Sequence, residues 1–296
     1  MANNLNLRGV GVALVTPFKE SGEIDFDALT RLTAYVSESV DYLVVMGTTA
    51  ESPVLSHDEK QAILSHVIQH NSKNLPIVFG IGGNSTAEVV SAVNSFDLTG
   101  VGAILSVTPY YNKPNQEGLL AHYSAVIEAS ALPVILYNVP GRTGINMTAT
   151  TTLKLAHKYK GKAIAIKEAS GNLAQAAYIL RDRPEGFCVI SGEDNMNLPL
   201  IAMGAEGVIS VSANCFAPTL SNMVNAALDG DMAKAASLNL NLIEATDLLF
   251  AEGNPTGAKA ALDIKGLISN NLRLPLVKAT KELNAKIKDQ IEKYSL

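Results

Sequence analysis

The chain has 296 residues, 47% apolar and 17% charged, with a net charge of −5 and no tryptophan. That is enough for one large aliphatic core with an appendage, and it offers no basic run of the kind nucleic acid or anionic lipid requires. No apolar run reaches the ~18 residues of a membrane span, and Met1-Ala2-Asn3-Asn4-Leu5-Asn6 lacks both the charged and the apolar part of a leader, so the expectation is a cytoplasmic protein that binds neither nucleic acid nor membrane.

Short apolar runs alternate with amphipathic stretches along the chain. Strands are expected to begin near Gly9, Tyr42, Ile77, Ala103, Val134, Ala163, Cys188 and Val208. Between and after them the spacing predicts helices over Asp25–Val40, His57–Asn71, Thr86–Leu98, Gln116–Ala129, Thr148–His157, Leu173–Arg181, Met196–Met203 and Pro218–Leu228. Strict β-α alternation argues a parallel sheet with helical crossovers, and eight units in about 230 residues fit a (β/α)8 TIM barrel better than an open doubly wound sheet. No G-x-G-x-x-G follows the first strand, which weakens the dinucleotide-binding alternative. Past Gly230 the pattern becomes helical, over Asp231–Phe250, a segment after Asn254-Pro255, and Thr280–Lys293, with Leu272-Arg273-Leu274-Pro275 as an extended link. The division expected is a catalytic barrel over 1–229 and a C-terminal helical region over 230–296. The two cysteines, Cys188 and Cys215, read as reduced buried thiols, and the five histidines form no metal-ligand cluster.

The stretch Ala163-Ile164-Ala165-Ile166-Lys167-Glu168 ends an apolar strand on a lysine. Alternation places Lys167 with Ala163 and Ala165 on one face, emptied of bulk, and Ile164 and Ile166 on the other. A lysine stem lying along a strand with its ammonium in water is the commoner arrangement. A Schiff-base lysine is the functional one: at the ordinary pKa of about 10.4 only about one amine in 2,500 is neutral at pH 7, and burial at a barrel mouth raises that share.

Barrel active sites lie at the C-terminal strand ends. There the chain places Gly47-Thr48-Thr49-Ala50-Glu51-Ser52, Thr108-Pro109-Tyr110-Tyr111, Tyr137-Asn138-Val139-Pro140-Gly141-Arg142-Thr143, Lys167, Ser191-Gly192-Glu193-Asp194 and Gly207-Val208-Ile209-Ser210. Singly, the threonines read as helix caps, the tyrosines as hydrophobic cover and Arg142 as a surface cation. Tyr137 is harder to dismiss, because a tyrosine ending a buried strand needs a partner for its hydroxyl.

Together, the Gly47–Ser52, Tyr137–Thr143 and Ile166–Gly171 segments resemble the class I pyruvate aldolase family that includes dihydrodipicolinate synthase and N-acetylneuraminate lyase. The likeness runs from Gly9 to Pro275, with Ala50 standing where many relatives have glycine. It implies that Lys167 forms an imine with pyruvate, that Tyr137 shuttles protons through Thr48 and a neighbouring subunit's Tyr111, and that no cofactor is needed. Thr49 would hold the pyruvate carboxylate, Arg142 the carboxylate of aspartate β-semialdehyde, and the backbone of Gly192 and Ile209 would close the site. Arg142 after Gly141 favours the synthase branch, in lysine and diaminopimelate biosynthesis, over a lyase or other sugar-acid aldolase needing polyol contacts. An inactive barrel acting as a binding protein would be expected to have lost Lys167 or Tyr137. The same resemblance implies a homodimer, associating further into a tetramer, and a lysine effector site at Ser52, His57, Asn84, Glu88 and Tyr110. Pro53 and Lys60 depart from that pattern, and the like charge of Lys60 predicts weak or absent lysine inhibition. Ser56-x-x-Glu59 and Ser85-x-x-Glu88 also read as capping boxes, which would give Glu88 a purely local role.

Overall fold

The computed structural model describes residues 5–296; residues 1–4, on which the expectation of no leader partly rests, lie outside the described residues. Eight parallel strands close into a barrel in sequence order: β1 (Gly9–Ala13), β2 (Tyr42–Val45), β3 (Ile77–Gly80), β4 (Ala103–Val107), β5 (Val134–Asn138), β6 (Ala163–Glu168), β7 (Cys188–Ser191) and β8 (Gly207–Ser210). All eight expected strands are present, and only β8 starts elsewhere, one residue early. The seam between β8 and β1 is tight. A Cβ on Gly207 would stand 2.3 Å from the Gly9 carbonyl oxygen, so closure there needs glycine.

Around the barrel lie α1 (Phe26–Ser37), α2 (His57–His70), α3 (Thr86–Ser95), α4 (Gln116–Ala129), a short α5 (Pro140–Thr143), α6 (Ala149–Lys158), α7 (Leu173–Asp182), α8 (Asn197–Ala202) and α9 (Ala217–Leu228). Six of these starts are fixed by side-chain caps from Asp25, Ser56, Ser85, Asn115, Thr148 and Asn172. Ser56 and Glu59 form a complete capping box, whereas Ser85 and Glu88 make only the forward bond, from the Glu88 N–H to Ser85. The helix expected over Thr86–Leu98 ends at Ser95, because Phe96 turns extended and drives its ring between His57, at 4.1 Å, and Phe79, at 5.1 Å. Helices α10 (Met232–Phe250), α11 (Thr256–Ile264) and α12 (Lys281–Tyr294) follow. Their Ala235, Leu242, Leu249, Leu262 and Ile287 share one core with Val10 and Val12 of β1 and Leu220 of α9.

The barrel interior is filled by inward side chains such as Tyr42, Val44, Leu105, Ile135, Ala165, Ile190 and Ile209. Ile135 and Tyr137 point inward and Leu136 outward, as alternation requires. On β6 simple alternation fails. Val134 pairs with Ala163 but Ile135 pairs with Ala165, so Ile164 is an extra residue and the strand bulges. Ala163 therefore packs outward with Leu119 and Leu155, while Ile164 and Ala165 both contact the interior. Ala163 is not on the face of Lys167.

Candidate active site

The bulge returns Lys167 to the inner face, directly opposite Tyr137 in the β5–β6 ladder. Both residues are 5% exposed, and Lys167 Nζ lies 4.4 Å from the centre of the Tyr137 ring. The room expected from Ala163 comes instead from Gly192. A Cβ there would stand 2.7 Å from both Cγ and Cε of Lys167 and 2.9 Å from the Ala169 Cβ. The Gly192 N–H is meanwhile held by the Glu168 carbonyl at 2.8 Å. Gly192→Ala is therefore expected to displace the amine by about 1 Å and to cost on the order of 10²-fold in kcat, together with a lowered Tm from the contact with the Ala169 Cβ. Steady-state kinetics beside a thermal melt check this; full activity would show that the Lys167 stem moves freely.

Above these residues opens a cavity of about 310 Å3 lined by, among others, Thr48, Tyr137, Arg142, Tyr110, Ser52 and Lys60. Lys167, Thr49, Gly192 and Ile209 are not in its lining, and Lys167 meets it through the Tyr137 ring. Thr48 opens a tight turn, Thr48–Ala50, set by Met46 and Glu51, both at positive φ (61° and 57°). Arg142 stands exposed on α5, its guanidinium without an ion-pair partner among the described residues. Tyr111 is 87% exposed at φ 73° and lies outside the cavity of its own chain. Among the described residues no group of three His, Cys, Asp or Glu side chains could hold a metal.

Of the expected effector residues, Ser52 and Tyr110 line the cavity with Pro53 and Lys60, whereas His57, Asn84 and Glu88 do not. His57 is stacked on Phe96 and the Asn84 carbonyl accepts from Asn112 at 2.8 Å. Burial lowers the Lys60 pKa. Cys188 and Cys215 are free thiols, Cys215 buried as expected but Cys188, the first residue of β7, only half-buried; burial raises both, Cys188 to about 11.

Several residues of this site have a role that their sequence positions do not disclose. Glu193, next to Gly192, is half-buried. Burial and Asp194 raise its pKa, while the Lys167 and Arg142 cations pull it back down. The C-terminal region reaches under the Thr48–Ala50 turn. Asn254 Nδ2 donates to Thr49 Oγ1 at 3.1 Å, leaving the threonine hydroxyl hydrogen free. Lys259 Nζ lies 2.5 Å from Glu51 Oε1 with both side chains buried, and it also donates to the Asn271 carbonyl at 2.8 Å. Burial lowers the Lys259 pKa to about 8 against the opposing pull of Glu51. The Arg273 N–H donates to Glu51 Oε2 at 3.1 Å, and its guanidinium grips Glu59, whose pKa falls to about 2. The one sequence signal is a lysine set among small apolar residues in Thr256-Gly257-Ala258-Lys259-Ala260-Ala261, where a charge is not expected.

A closed (β/α)8 barrel with a buried lysine and tyrosine side by side at the strand exits has the architecture of a class I aldolase. The model of the dihydrodipicolinate synthetase family matches residues 6–294. The chain belongs to that family. It is 48% identical over 294 residues to the 4-hydroxy-tetrahydrodipicolinate synthase of Parabacteroides distasonis, covering 99% of each. It superposes with a TM-score of 0.93 and 37% identity on a dihydrodipicolinate synthase from Cyanidioschyzon merolae with lysine bound, covering 98% of each chain. A structure described as the first monomeric dihydrodipicolinate synthase variant gives a TM-score of 0.94 at 37% identity, over 98% of this chain and 97% of that one.

Proposed function

We infer that the chain is a lyase of lysine and diaminopimelate biosynthesis that condenses pyruvate with L-aspartate β-semialdehyde and releases 4-hydroxy-tetrahydrodipicolinate. The observation that carries the site is the buried Lys167–Tyr137 pair beside a cavity bearing an unpaired arginine. The Lys167 amine adds to the pyruvate ketone, and loss of water gives the imine. Tyr137 takes a methyl proton, with Thr48 and a partner's tyrosine at position 111 relaying it, and the resulting enamine attacks the aldehyde. The proton returns through Tyr137 to the new alkoxide, making it a hydroxyl, and the semialdehyde's own amine then adds to the imine carbon, closes the ring and displaces the Lys167 amine, with no cofactor required. Thr49, its oxygen already engaged by Asn254, turns its O–H to the pyruvate carboxylate. Gly192 and Ile209 complete the floor, the barrel of 1–229 carries the chemistry, and 230–296 supports its loops.

Arg142 binds the semialdehyde carboxylate through a charge-assisted fork. Losing such a bond costs about 1.5–3 kcal/mol, so Arg142→Ala should raise KM for the semialdehyde by about 10- to 100-fold. KM for pyruvate should stay within about threefold on the same reasoning. Equal damage to both would remove Arg142 from that role. The deciding assay compares turnover of pyruvate plus semialdehyde with cleavage of N-acetylneuraminate. Preference for the latter would place the chain in the lyase branch.

The exposed, left-handed Tyr111 supports a homodimer in which each chain completes the other's site; we assign its further pairing into a tetramer and its cytoplasmic location from the family likeness alone. Run over a dilution series with light scattering, the same assay should lose activity as the protein dissociates; a fully active monomer would contradict the shared site. A structural neighbour is a synthase with lysine bound, which supports a lysine site in this family; Ser52, His57, Asn84, Glu88 and Tyr110 are the residues we assign to it. Lys60 beside Ser52 and Pro53 weakens it. Lysine should therefore inhibit weakly or not at all, with partial restoration by Lys60→His. Strong inhibition at sub-millimolar lysine would show that Lys60 points away.

A further inference from the structure

Directly behind the Lys167–Tyr137 pair, on the outer side of the barrel wall, lies a buried polar knot that the reaction as written does not use. Asn138 and Glu168 are the next residues along the two strands and face each other in the ladder. Asn138 is fully buried and Glu168 is 2% exposed. Glu168 Oε1 accepts from the Ser170 N–H at 2.8 Å and from Asn138 Nδ2 at 3.2 Å. Its Oε2 accepts from Gln175 Nε2 of α7 at 3.0 Å and again from Asn138 Nδ2 at 3.2 Å. Every partner is an uncharged N–H. The knot continues outward: Asn138 Nδ2 donates to Asn146 Oδ1 at 2.8 Å, Asn146 Nδ2 to Gln175 Oε1 at 2.8 Å, and the Met147 N–H to Asn138 Oδ1 at 2.9 Å.

Burying a carboxylate without a cation is costly, and a core made only for stability would use apolar groups here. The placement points to another use. The bulge at Ile164 makes the facing of every later β6 residue depend on register, and a one-residue slip would turn Lys167 out of the barrel. The side-chain bonds from Asn138 to Glu168 bridge the two strands one residue beyond the reacting pair, and Gln175 and Asn146 tie that bridge to α7 and to the loop before α6.

We propose that Glu168, braced by Asn138, Asn146 and Gln175, is a positioning residue that locks β5 and β6 in the register holding Lys167 against Tyr137. The proposal rests on the imine chemistry assigned to Lys167 above.

Glu168→Gln tests it without changing volume. Both oxygens of Glu168 accept, so an amide in either orientation sets its NH2 against a donor. The expected result, read by quenching with borohydride at successive times after adding pyruvate, is an adduct still on Lys167 but formed about 10- to 100-fold more slowly, with kcat reduced in step. Gln175→Met, which removes the donor to Glu168 and the acceptor of Asn146, should slow it severalfold and serves if Glu168→Gln does not fold. Pairing Glu168→Gln with Gln175→Glu restores an acceptor opposite the new amide and should recover part of the rate. Leu32→Ala, a buried apolar truncation in α1 with no bond to the knot, supplies a control of comparable Tm loss that should trap at the normal rate. Unchanged trapping in Glu168→Gln, or equal slowing in the Leu32→Ala control, overturns the proposal alone. An adduct on another lysine in the unsubstituted protein overturns the site reading and this proposal with it.

Discussion

Tyr137→Phe should lower kcat by about 10²- to 10⁴-fold, the range for losing one general acid–base group. The substitution removes only the hydroxyl. The ring that lies 4.4 Å from Lys167 Nζ and fills the wall of the cavity remains, so the lysine should stay where it is. Some imine should still form with pyruvate, because addition of the amine does not require the phenol as strictly as methyl deprotonation does. Trapping would then persist while turnover fails. Turnover within about tenfold of the unsubstituted protein would remove Tyr137 from the proton path, since that lies below the usual range.

The second large effect concerns the support of the site. Lys259→Met should destabilise the fold by about 3–5 kcal/mol, because it leaves Glu51 buried without its cation. Glu51 would keep the Arg273 N–H at 3.1 Å, which is a neutral donor and a poor substitute for an ammonium. The injury is not confined to stability. Glu51 holds a left-handed backbone, φ 57°, at the end of the turn that presents Thr48 and Thr49. Freed of its partner, that turn should lose pyruvate affinity as well. Adding Glu51→Gln to Lys259→Met removes the stranded charge and should recover most of the stability. Urea unfolding of the single and double variants reads this. A single variant as stable as the parent would mean that the pair contributes nothing net.

The barrel and much of its site were legible in the sequence because both are written locally. A strand buried on both faces is a short apolar run, and its exit residues sit in the motif that follows, so Thr48, Tyr137, Arg142 and Lys167 could be placed at one end of one barrel. The bulge was not legible. Ala163-Ile164-Ala165 alternates as a regular strand would, and the extra residue appears only in the pairing with β5. The C-terminal support was invisible for another reason. Asn254 meets Thr49 across 205 positions and Arg273 meets Glu51 across 222, and no local period encodes such contacts. Gly192 lay between the two cases: its backbone role was expected from the family likeness, while the contact that requires it to be glycine comes from the Lys167 stem folded against it.

The central claim is that Lys167 is the nucleophile, and borohydride reduction in the presence of pyruvate tests it most directly. Peptide mapping should find one reduced pyruvate per chain, carried on Lys167, and Lys167→Ala should take up none and lose turnover. An adduct on any other lysine, or normal turnover by Lys167→Ala, would contradict the account.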